Sequence, residues 1–212
     1  MATYKNGISG AFSGKVGTVV GSSWKGIDYM RSLPRRSKRI PSEPQKAQRM
    51  KMALAIRFLS PVSELVNIGF ESEALKKSGF NVATSRFISE AIVGLYPEFV
   101  VDYSKVLISS GTLTGAWNAS VSSISSGTLN VIWTNNSGSG TARETDKAVI
   151  LVYNPAKAGY VYTMAGADRN TAIDSINLPP EFSDDRLEVW ITFISANSKS
   201  IATSIYAGSI IV

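Results

Sequence analysis

The sequence predicts an α+β protein with three parts: a Gly-rich N-terminal β-hairpin with a basic arm, two to three short helices, and a C-terminal antiparallel β-sandwich. Six glycines interrupt β-forming residues between positions 7 and 33. Apolar residues then recur at helical spacing, and the remainder alternates in short segments separated by turns. These changes of pattern divide the chain into a hairpin and arm at 1–41, a helical region at 42–99 and a sandwich at 100–212.

The N-terminal segment is predicted to form two short strands, at about 15–23 and 27–33, joined by a turn at 24–26. Glycine at this density indicates tight turns or close approach of the backbone. Pro34 ends the extended stretch. The basic run from there to Pro41 lies between prolines, so we expect it to be extended and to face the solvent.

Ser42 begins the first predicted helix, because its side chain can cap the helix and Gln45 follows at the capping-box position. The apolar residues of this helix recur every three or four positions and predict one buried face: Ala47, Met50, Leu54 and Phe58. Ser60 and Pro61 end this helix and start a short second one. A third helix is expected at 81–93, ending before Gly94.

Short alternating segments with intervening turns follow residue 100, which is typical of a β-sandwich or barrel. Eight strands are expected there: 105–109, 113–120, 128–134, 148–153, 159–164, 171–178, 187–195 and 201–212. The alternation is clearest at Leu129, Val131 and Trp133, which place apolar side chains on one side of their strand.

Three of these segments carry a resemblance to a known family. Residues 129–133 look like a second strand with its core tryptophan, 149–153 like a central third strand, and 187–193 like a sixth strand. Together they resemble a fibronectin type III or other immunoglobulin-like domain, which implies a sandwich of that kind over about half of the chain. The tyrosine corner of that family is missing before the sixth strand, where Asp-Asp-Arg stands at 184–186.

Five short motifs distributed along most of the chain carry a second resemblance. They are FSGKVG at 12–17, WKG at 24–26, RSLP at 31–34, AQR at 47–49 and DYSK at 102–105. By these motifs the sequence is identified as a member of a family of unknown function from Bacteroidetes, whose proteins have a similar length. The resemblance implies a host lineage and a shared fold, and no activity.

The composition argues against catalysis. The chain has no histidine and no cysteine, which excludes Ser–His and Cys–His nucleophilic sites and the usual zinc, copper and iron sites. Glu181, Asp184 and Asp185 stand between two strands, where such residues more often shape a turn. The segment 10–15 does not fit a phosphate-binding loop, because three residues separate its glycines and Val16 follows the lysine. We therefore expect no enzymatic activity, no cofactor, no metal and no small-molecule substrate.

Charge is distributed unevenly, since residues 1–57 carry a net charge of +10 and the rest of the chain carries −4. The candidate partner- or phosphate-binding residues lie in this basic part: Arg31, Arg35, Arg36, Lys38, Arg39, Lys46, Arg49, Lys51, Trp24 and Tyr29. Such cations neutralise phosphates, and aromatic rings stack on bases. The same block also fits a solvated arm, or a surface that pairs with the acidic part of a neighbouring copy. Aromatic residues in a strand are more often part of a core.

The N-terminal residues lack the continuous apolar stretch of a secretory signal, and the longest apolar run, 148–153, is too short to span a membrane. We expect a protein made in the cytoplasm without a membrane span.

The favoured function is a non-enzymatic structural or assembly protein, such as a phage virion or filament subunit. It would dock through its basic N-terminal region onto neighbouring copies or another protein. One alternative is a nucleic-acid-binding protein that uses the basic segment 31–57. A further alternative is a carbohydrate- or surface-binding module with exposed aromatic residues on the sandwich, such as Tyr160, Tyr162 or Trp190.

Overall fold

The chain forms two compact units, an N-terminal unit, Met1–Ser42, and a C-terminal unit, Glu43–Val212. The computed structural model describes residues 2–4, 10–33, 40–125 and 127–212. The N-terminal unit is a β-sheet, and the C-terminal unit combines the helices with the β-sandwich, so the α+β class is confirmed.

The N-terminal unit is an antiparallel sheet with the strand order β1–β2–β3–β4. Its strands are β1 (Thr3–Tyr4), β2 (Phe12–Val16), β3 (Val19–Trp24) and β4 (Ile27–Ser32). The predicted turn after Trp24 is present. Lys25 and Gly26 have φ angles of 48° and 80°, as expected of a two-residue type I′ hairpin turn. The predicted strand at 15–23 is divided, because Gly17, with a φ of 56°, reverses the chain between β2 and β3.

The C-terminal unit begins with three helices, α1 (Glu43–Leu59), α2 (Ser63–Gly69) and α3 (Gly79–Arg86). A 3₁₀ turn, Ser60–Val62, connects α1 to α2, as the Ser-Pro pair predicts. The third helix differs from its predicted bounds of 81–93. Ser78 caps it by accepting a hydrogen bond from the amide of Asn81 at 3.2 Å, which places its start earlier. The helix continues as a π-helical turn, Phe87–Ala91, and the chain then becomes extended.

Two short strands, β5 (Ile92–Val93) and β6 (Val100–Val101), pair with each other after the helices. The sandwich follows with seven strands: β7 (Trp117–Ser125), β8 (Thr128–Thr134), β9 (Lys147–Asn154), β10 (Gly159–Thr163), β11 (Ile173–Asn177), β12 (Arg186–Ile194) and β13 (Ile205–Ile211). One sheet has the order β11–β8–β7 and the other β10–β9–β12–β13. The segments that resemble the second, third and sixth strands of an immunoglobulin-like sandwich occupy those positions.

One predicted strand, at 105–109, is absent. Its first residue belongs to a 3₁₀ turn, Tyr103–Lys105. The backbone that follows forms a hydrogen bond with a side chain instead of with a neighbouring strand. The amide of Ile108 donates to Oγ of Ser204 at 2.9 Å. The strand predicted at 113–120 begins later, at Trp117. Before it, Leu113 forms only an isolated bridge, with Ala202 in the segment after β12, so no strand begins there.

The sheet with β9 and β12 is covered on both faces. Trp190 points to the helices and packs in a core with Phe58 of α1, whereas its neighbours Val189 and Ile191 point between the two sheets. Alternate residues of a strand face opposite sides, so one strand contributes to both cores. The ring centroids of Phe58 and Trp190 are 5.9 Å apart.

A fully buried arginine, Arg169, connects the loops at one end of the sandwich. Its guanidinium donates to Oδ2 of Asp146 at 3.1 Å and to Oδ1 of Asn136 at 2.7 Å. It also donates to the backbone carbonyls of Thr114 and Gly115, at 2.8 and 3.2 Å. Burial lowers the pKa of Arg169, and the Asp146 carboxylate opposes that shift.

Among the described residues, one helical stretch, Glu43–Gly69, is long and apolar enough by length and composition to cross a membrane. It comprises α1, the 3₁₀ turn and α2. Several of its apolar side chains, including Phe58, Leu59 and Val62, are buried in the core against the sandwich. Packing in that core accounts for the apolar composition of these residues.

Candidate functional site

Five side chains of the N-terminal sheet define a surface that we call the Trp24 face: Lys15, Trp24, Ile27, Tyr29 and Arg31. The strand register places them together. Trp24 of β3 pairs with Ile27 of β4, and Tyr29 and Arg31 follow at alternate positions of β4. Lys15 pairs with Val20, which in turn pairs with Arg31. Paired residues and alternate residues point to the same side of a sheet.

The apolar and aromatic members of the Trp24 face are exposed, at 47% for Trp24, 62% for Ile27 and 44% for Tyr29. Among the described residues of the N-terminal unit, Gly21 alone is buried. Gly21 is buried because the ring of Phe12 lies where a side chain at position 21 would be. The expectation that strand aromatics belong to a core is therefore wrong for Trp24 and Tyr29.

The opposite face of the same sheet is also open. Met30 is 71% exposed and Val16 is 46% exposed, and both lie on this second side by the strand register. Asp28 is on the same side as Met30, because two positions of β4 separate them. The Trp24 face therefore carries two cations, and no acidic residue among the described strands.

Lys25, in the hairpin turn, adds a cation close to the aromatic part of the Trp24 face. Its Nζ atom is 5.4 Å from the centroid of the Trp24 ring, within the range of a cation–π contact. The exposed indole ring of Trp24 therefore already has a positively charged group, that of Lys25, against it. An arginine-rich or amine-bearing ligand would compete with Lys25 for this ring.

The structure brings three of the ten predicted site residues together on the Trp24 face: Trp24, Tyr29 and Arg31. Lys15 and Ile27 belong to the same surface and were not predicted, although the alternation of 27, 29 and 31 in the sequence could have identified Ile27. Four of the predicted cations, Arg35, Arg36, Lys38 and Arg39, lie outside the described residues.

The remaining three predicted cations lie on α1 in the C-terminal unit, and the helix does not place them on one side. Lys46 and Arg49 are one turn apart and exposed. At 100° per residue Lys51 projects to the other side of the helix, beside the buried face. Its Nζ atom is 4.8 Å from the centroid of the Phe99 ring, so its charge already has an aromatic partner.

The acidic cluster considered for catalysis has the role of turn residues. Asp184 has a φ of 63°, in the left-handed region typical of turns. Asp185 accepts hydrogen bonds from Lys157 and Asn154, and the bond from Lys157 is the main reason its pKa is lowered. A general acid needs a raised pKa, so this environment is the opposite of what that chemistry requires.

Two other sequence patterns are also explained by the fold. Residues 12–16, which include the lysine of the incomplete phosphate loop, form strand β2 instead of a loop before a helix. On the sandwich, Trp190 is fully buried, and Tyr160 and Tyr162 are partly buried against the helical core. The prediction of exposed aromatic residues is therefore wrong for Trp190, and Tyr160 and Tyr162 are only partly exposed.

Comparison with known proteins places the chain in a family. The profile of a family of unknown function, DUF6266, matches residues 11–208. The chain belongs to this family. Membership in DUF6266 covers both units, so the sheet with the Trp24 face and the sandwich are parts of the same family pattern. No curated protein matches the sequence significantly.

Solved structures similar to this member of DUF6266 include fibronectin domains. One is the fn3 domain of the human collagen alpha-1(XX) chain, with 14% identity and a TM-score of 0.36, covering 49% of this chain and 90% of that chain. Another is the FN1–FN3 domains of chicken CNTN1, with 16% identity and a TM-score of 0.35. That match covers 48% of this chain and 33% of the other.

Proposed function

We propose that this protein is a non-enzymatic structural or assembly protein that docks through its N-terminal sheet onto neighbouring copies of itself or another protein component. One observation carries the proposal. The sheet exposes large apolar side chains on both faces, with Ile27 at 62% and Met30 at 71%, and the described part of the unit encloses no apolar core. Surfaces of this kind typically mark interaction sites.

The energetics favour a protein partner. Burying one large apolar side chain contributes about 1.5–3 kcal/mol, and a sheet of four short strands has few other sources of stability. A partner that covers Trp24, Ile27 and Tyr29 would supply what the sheet lacks. The cations Lys15 and Arg31 at the margin would then pair with acidic groups, which the C-terminal part of each copy carries in excess. A subunit of a phage virion or a filament would have these properties.

The test is the oligomeric state of the full chain, measured by multi-angle light scattering over a range of concentrations. We expect the wild-type protein to self-associate and the double variant Ile27→Ser/Met30→Ser to shift to the monomer. A matched control is Ile173→Ser on β11, which replaces a similarly exposed isoleucine (43%) of the sandwich. A wild-type chain that remains monomeric throughout, or a control that dissociates equally, would contradict self-association through this sheet.

A second candidate function, nucleic-acid binding, is favoured by a specific arrangement. Trp24 and Tyr29 share one exposed face with Lys15 and Arg31, and single-stranded nucleic acids bind to such combinations of stacking rings and backbone-neutralising cations. A single-stranded segment of nucleic acid could lie across the sheet with its bases stacked on the rings of Trp24 and Tyr29.

Fluorescence anisotropy with a labelled single-stranded oligonucleotide tests this candidate. Affinity should fall steeply with salt, and Trp24→Ala should weaken it by about tenfold, the loss of one stacked base. The combined Ala variant of Arg35, Arg36, Lys38 and Arg39 tests the rest of the basic segment. Lys76→Ala, an exposed cation of the C-terminal unit, is the control. Binding that is absent at low salt, or unchanged in these variants, would rule it out.

A further inference from the structure

The outer strand of the N-terminal sheet, β4, has one side without a neighbouring strand among the described residues. The sheet has the order β1–β2–β3–β4, so β4 pairs only with β3, and every residue of β4 is exposed. Its pairing with β3 is continuous from Ile27 to Ser32, without a bulge, and no proline interrupts it. Natural edge strands are often shortened, bulged, interrupted by proline or covered, because an open edge pairs readily with another chain. In the described part of the unit, β4 has none of these protections.

The backbone groups on this open side belong to Asp28, Met30 and Ser32. Just after β4, the amide of Leu33 donates to the carbonyl of Thr18 at 2.8 Å, so the backbone at position 33 points towards β3. Backbone groups of successive strand residues point to opposite sides. The odd-numbered residues of β4 therefore also bond towards β3, and the even-numbered residues present their amides and carbonyls outwards. These outward groups make no hydrogen bond to the described residues.

The same strand of a second copy can pair with these groups only in certain registers. Two β4 strands that pair in antiparallel fashion are related by a two-fold axis, and their outward residues must lie opposite each other. For a substantial overlap the axis passes beside one interior residue of β4, which then faces itself in the other copy. At Asp28 or Arg31 this residue would face its own charge, which is destabilising. Tyr29 and Met30 remain as candidates for the position on the axis.

An axis at Met30 allows more hydrogen bonds than an axis at Tyr29. With Met30 on the axis, Asp28 lies opposite Ser32 in both directions and Met30 lies opposite itself. Each of these three pairs exchanges two backbone hydrogen bonds, which makes six. With Tyr29 on the axis, only the two pairs of Asp28 with Met30 exchange bonds, which makes four.

The side chains favour the same register. With Met30 on the axis, Arg31 lies opposite Tyr29 of the second copy in a non-hydrogen-bonded pair, where Cα atoms are about 4.5 Å apart. The guanidinium can then stack on the tyrosine ring, a cation–π contact that symmetry repeats. On the other face of the sheet, the two Met30 side chains meet, and each is 71% exposed in the single chain. With Tyr29 on the axis, Arg31 would face Ile27 instead, which has no aromatic ring.

We propose that β4 pairs in antiparallel fashion with β4 of a second copy, with Met30 on the two-fold axis and Arg31 of each copy against Tyr29 of the other. This inference rests on the proposed self-association through the N-terminal sheet, and it specifies the strand edge as the contact. The axis is perpendicular to the sheet, so the Trp24 faces of both copies lie on the same side of one continuous sheet. The pairing is closed, because each copy uses its open edge once.

Single cysteines identify the register, since the chain contains no cysteine of its own. Only a residue on the axis faces itself, and the Cα atoms of a hydrogen-bonded pair are about 5.5 Å apart, within the range of a disulfide. The full-length variants Met30→Cys and Tyr29→Cys are equilibrated in a glutathione redox buffer and analysed by non-reducing electrophoresis. The control is Val16→Cys, at an exposed residue on the same face as Met30 but in β2. We expect at least about fivefold more disulfide-linked dimer with Met30→Cys than with the other two variants.

A proline variant tests the backbone hydrogen bonds without a cysteine. The amide of Ser32 points away from β3, so Ser32→Pro leaves the bonds between β3 and β4 in place and removes two of the six bonds between copies. Multi-angle light scattering or sedimentation should show a dissociation constant raised by about tenfold or more. Ser32→Ala keeps the amide and is the matched control, with a smaller change. If Tyr29 were on the axis, Ser32 would have no partner, and the two variants would behave alike.

The outcomes separate this inference from the proposed function. The strand pairing is overturned if Tyr29→Cys forms more dimer than Met30→Cys, or if Ser32→Pro associates as strongly as Ser32→Ala. It is also overturned if the wild type self-associates but Met30→Cys forms no more linked dimer than Val16→Cys; self-association through the sheet then stands, with contacts elsewhere on it. A wild-type chain that is monomeric at all concentrations contradicts both.

Discussion

The guanidinium carbon of Arg169 lies 3.8 Å from the centroid of the Phe193 ring, inside the sandwich. The planar cation stacks on the aromatic face while its edges donate hydrogen bonds to Asp146, Asn136 and two backbone carbonyls. Stacking and in-plane donation use different parts of the guanidinium, and lysine cannot do both. This buried charge therefore has hydrogen-bond acceptors around its edges and an aromatic ring against its face.

Replacing Arg169 should be strongly destabilising. Arg169→Met fills a similar volume but leaves the buried carboxylate of Asp146 without its counter-charge, so we expect a loss of about 3–5 kcal/mol in the free energy of unfolding. Urea denaturation followed by tryptophan fluorescence measures it. The control is Lys147→Met, which breaks the half-exposed ion pair with Asp168 at 2.9 Å and should cost less than about 1 kcal/mol. Equal losses in the two variants would contradict this account.

The helices and the sandwich should unfold together because Phe58 of α1 packs on the sheet. Its ring centroid is 5.0 Å from that of Tyr153 and 5.9 Å from that of Trp190, both in edge-to-face geometry. Phe58→Ala should lower the free energy of unfolding by about 3–5 kcal/mol and reduce the near-UV circular dichroism of the tryptophan. Ile56→Ala on the same helix, 43% exposed, should change stability by less than about 0.5 kcal/mol. A small effect of Phe58→Ala would show that the helices are stable without this contact.

Gly69, the last residue of α2, should not tolerate a side chain. A Cβ atom there would overlap the carbonyl oxygen of Ile108 and meet the side chain of Ser109 at 3.0 Å. Gly69→Ala should therefore destabilise the protein by about 1–3 kcal/mol, measured by thermal unfolding. At Gly115 the nearest atoms would be at 3.4 and 3.5 Å, an ordinary contact, so Gly115→Ala is a matched control with a smaller loss. The reverse order of the two losses would contradict the packing described for α2.

Stability should decline at alkaline pH because of the tyrosines between the helices and the sheet. Burial, with a contribution from neighbouring Tyr153, raises the pKa of Tyr103 to about 12 from its usual 10.0, and burial also raises the pKa of Tyr160. The folded state therefore holds these protons after the unfolded state has begun to lose them. The stabilisation is complete below pH 10 and is lost as the pH rises towards 12.

The measurement is the free energy of unfolding as a function of pH, with phenolate absorbance recorded in parallel. Tyr103→Phe should make the alkaline decline less steep, because it removes one of the groups that release a proton on unfolding. Tyr96→Phe, at a tyrosine that is 40% exposed, is the control and should leave the slope as in the wild type. Identical slopes for all three proteins would exclude Tyr103 as a cause.

Local patterns in the sequence predicted the elements whose residues interact with their neighbours along the chain. The hairpin turn at 24–26 and the alternation around Trp133 are examples, since both depend on adjacent residues. The failed strand at 105–109 depends on Ser204, almost a hundred positions away, and no short-range pattern reveals such a partner.

The candidate surfaces likewise combine features that adjacent residues determine with features that distant residues determine. Residues 27, 29 and 31 alternate in one strand, so part of the Trp24 face could be found from the sequence. The position of Lys15 on that face depends on the pairing of two strands, and the contact of Lys51 with the Phe99 ring depends on how α1 packs in the tertiary structure. The network of Arg169 and Asp146 could not be predicted, because it brings together residues from four loops or strand ends.

The described strands of the N-terminal sheet enclose almost no apolar side chains, and this has a further thermodynamic consequence. Ordering each residue of the N-terminal unit costs about 1–2 kcal/mol of backbone entropy, and the exposed side chains of Trp24, Ile27 and Met30 return little of it within the unit. A partner that covered the sheet, as proposed above, would therefore stabilise its folding as well as bind it. The protection of these strands from proteolysis and from amide hydrogen exchange should then rise with the fraction of protein that is bound to a partner. Either method would therefore measure that fraction.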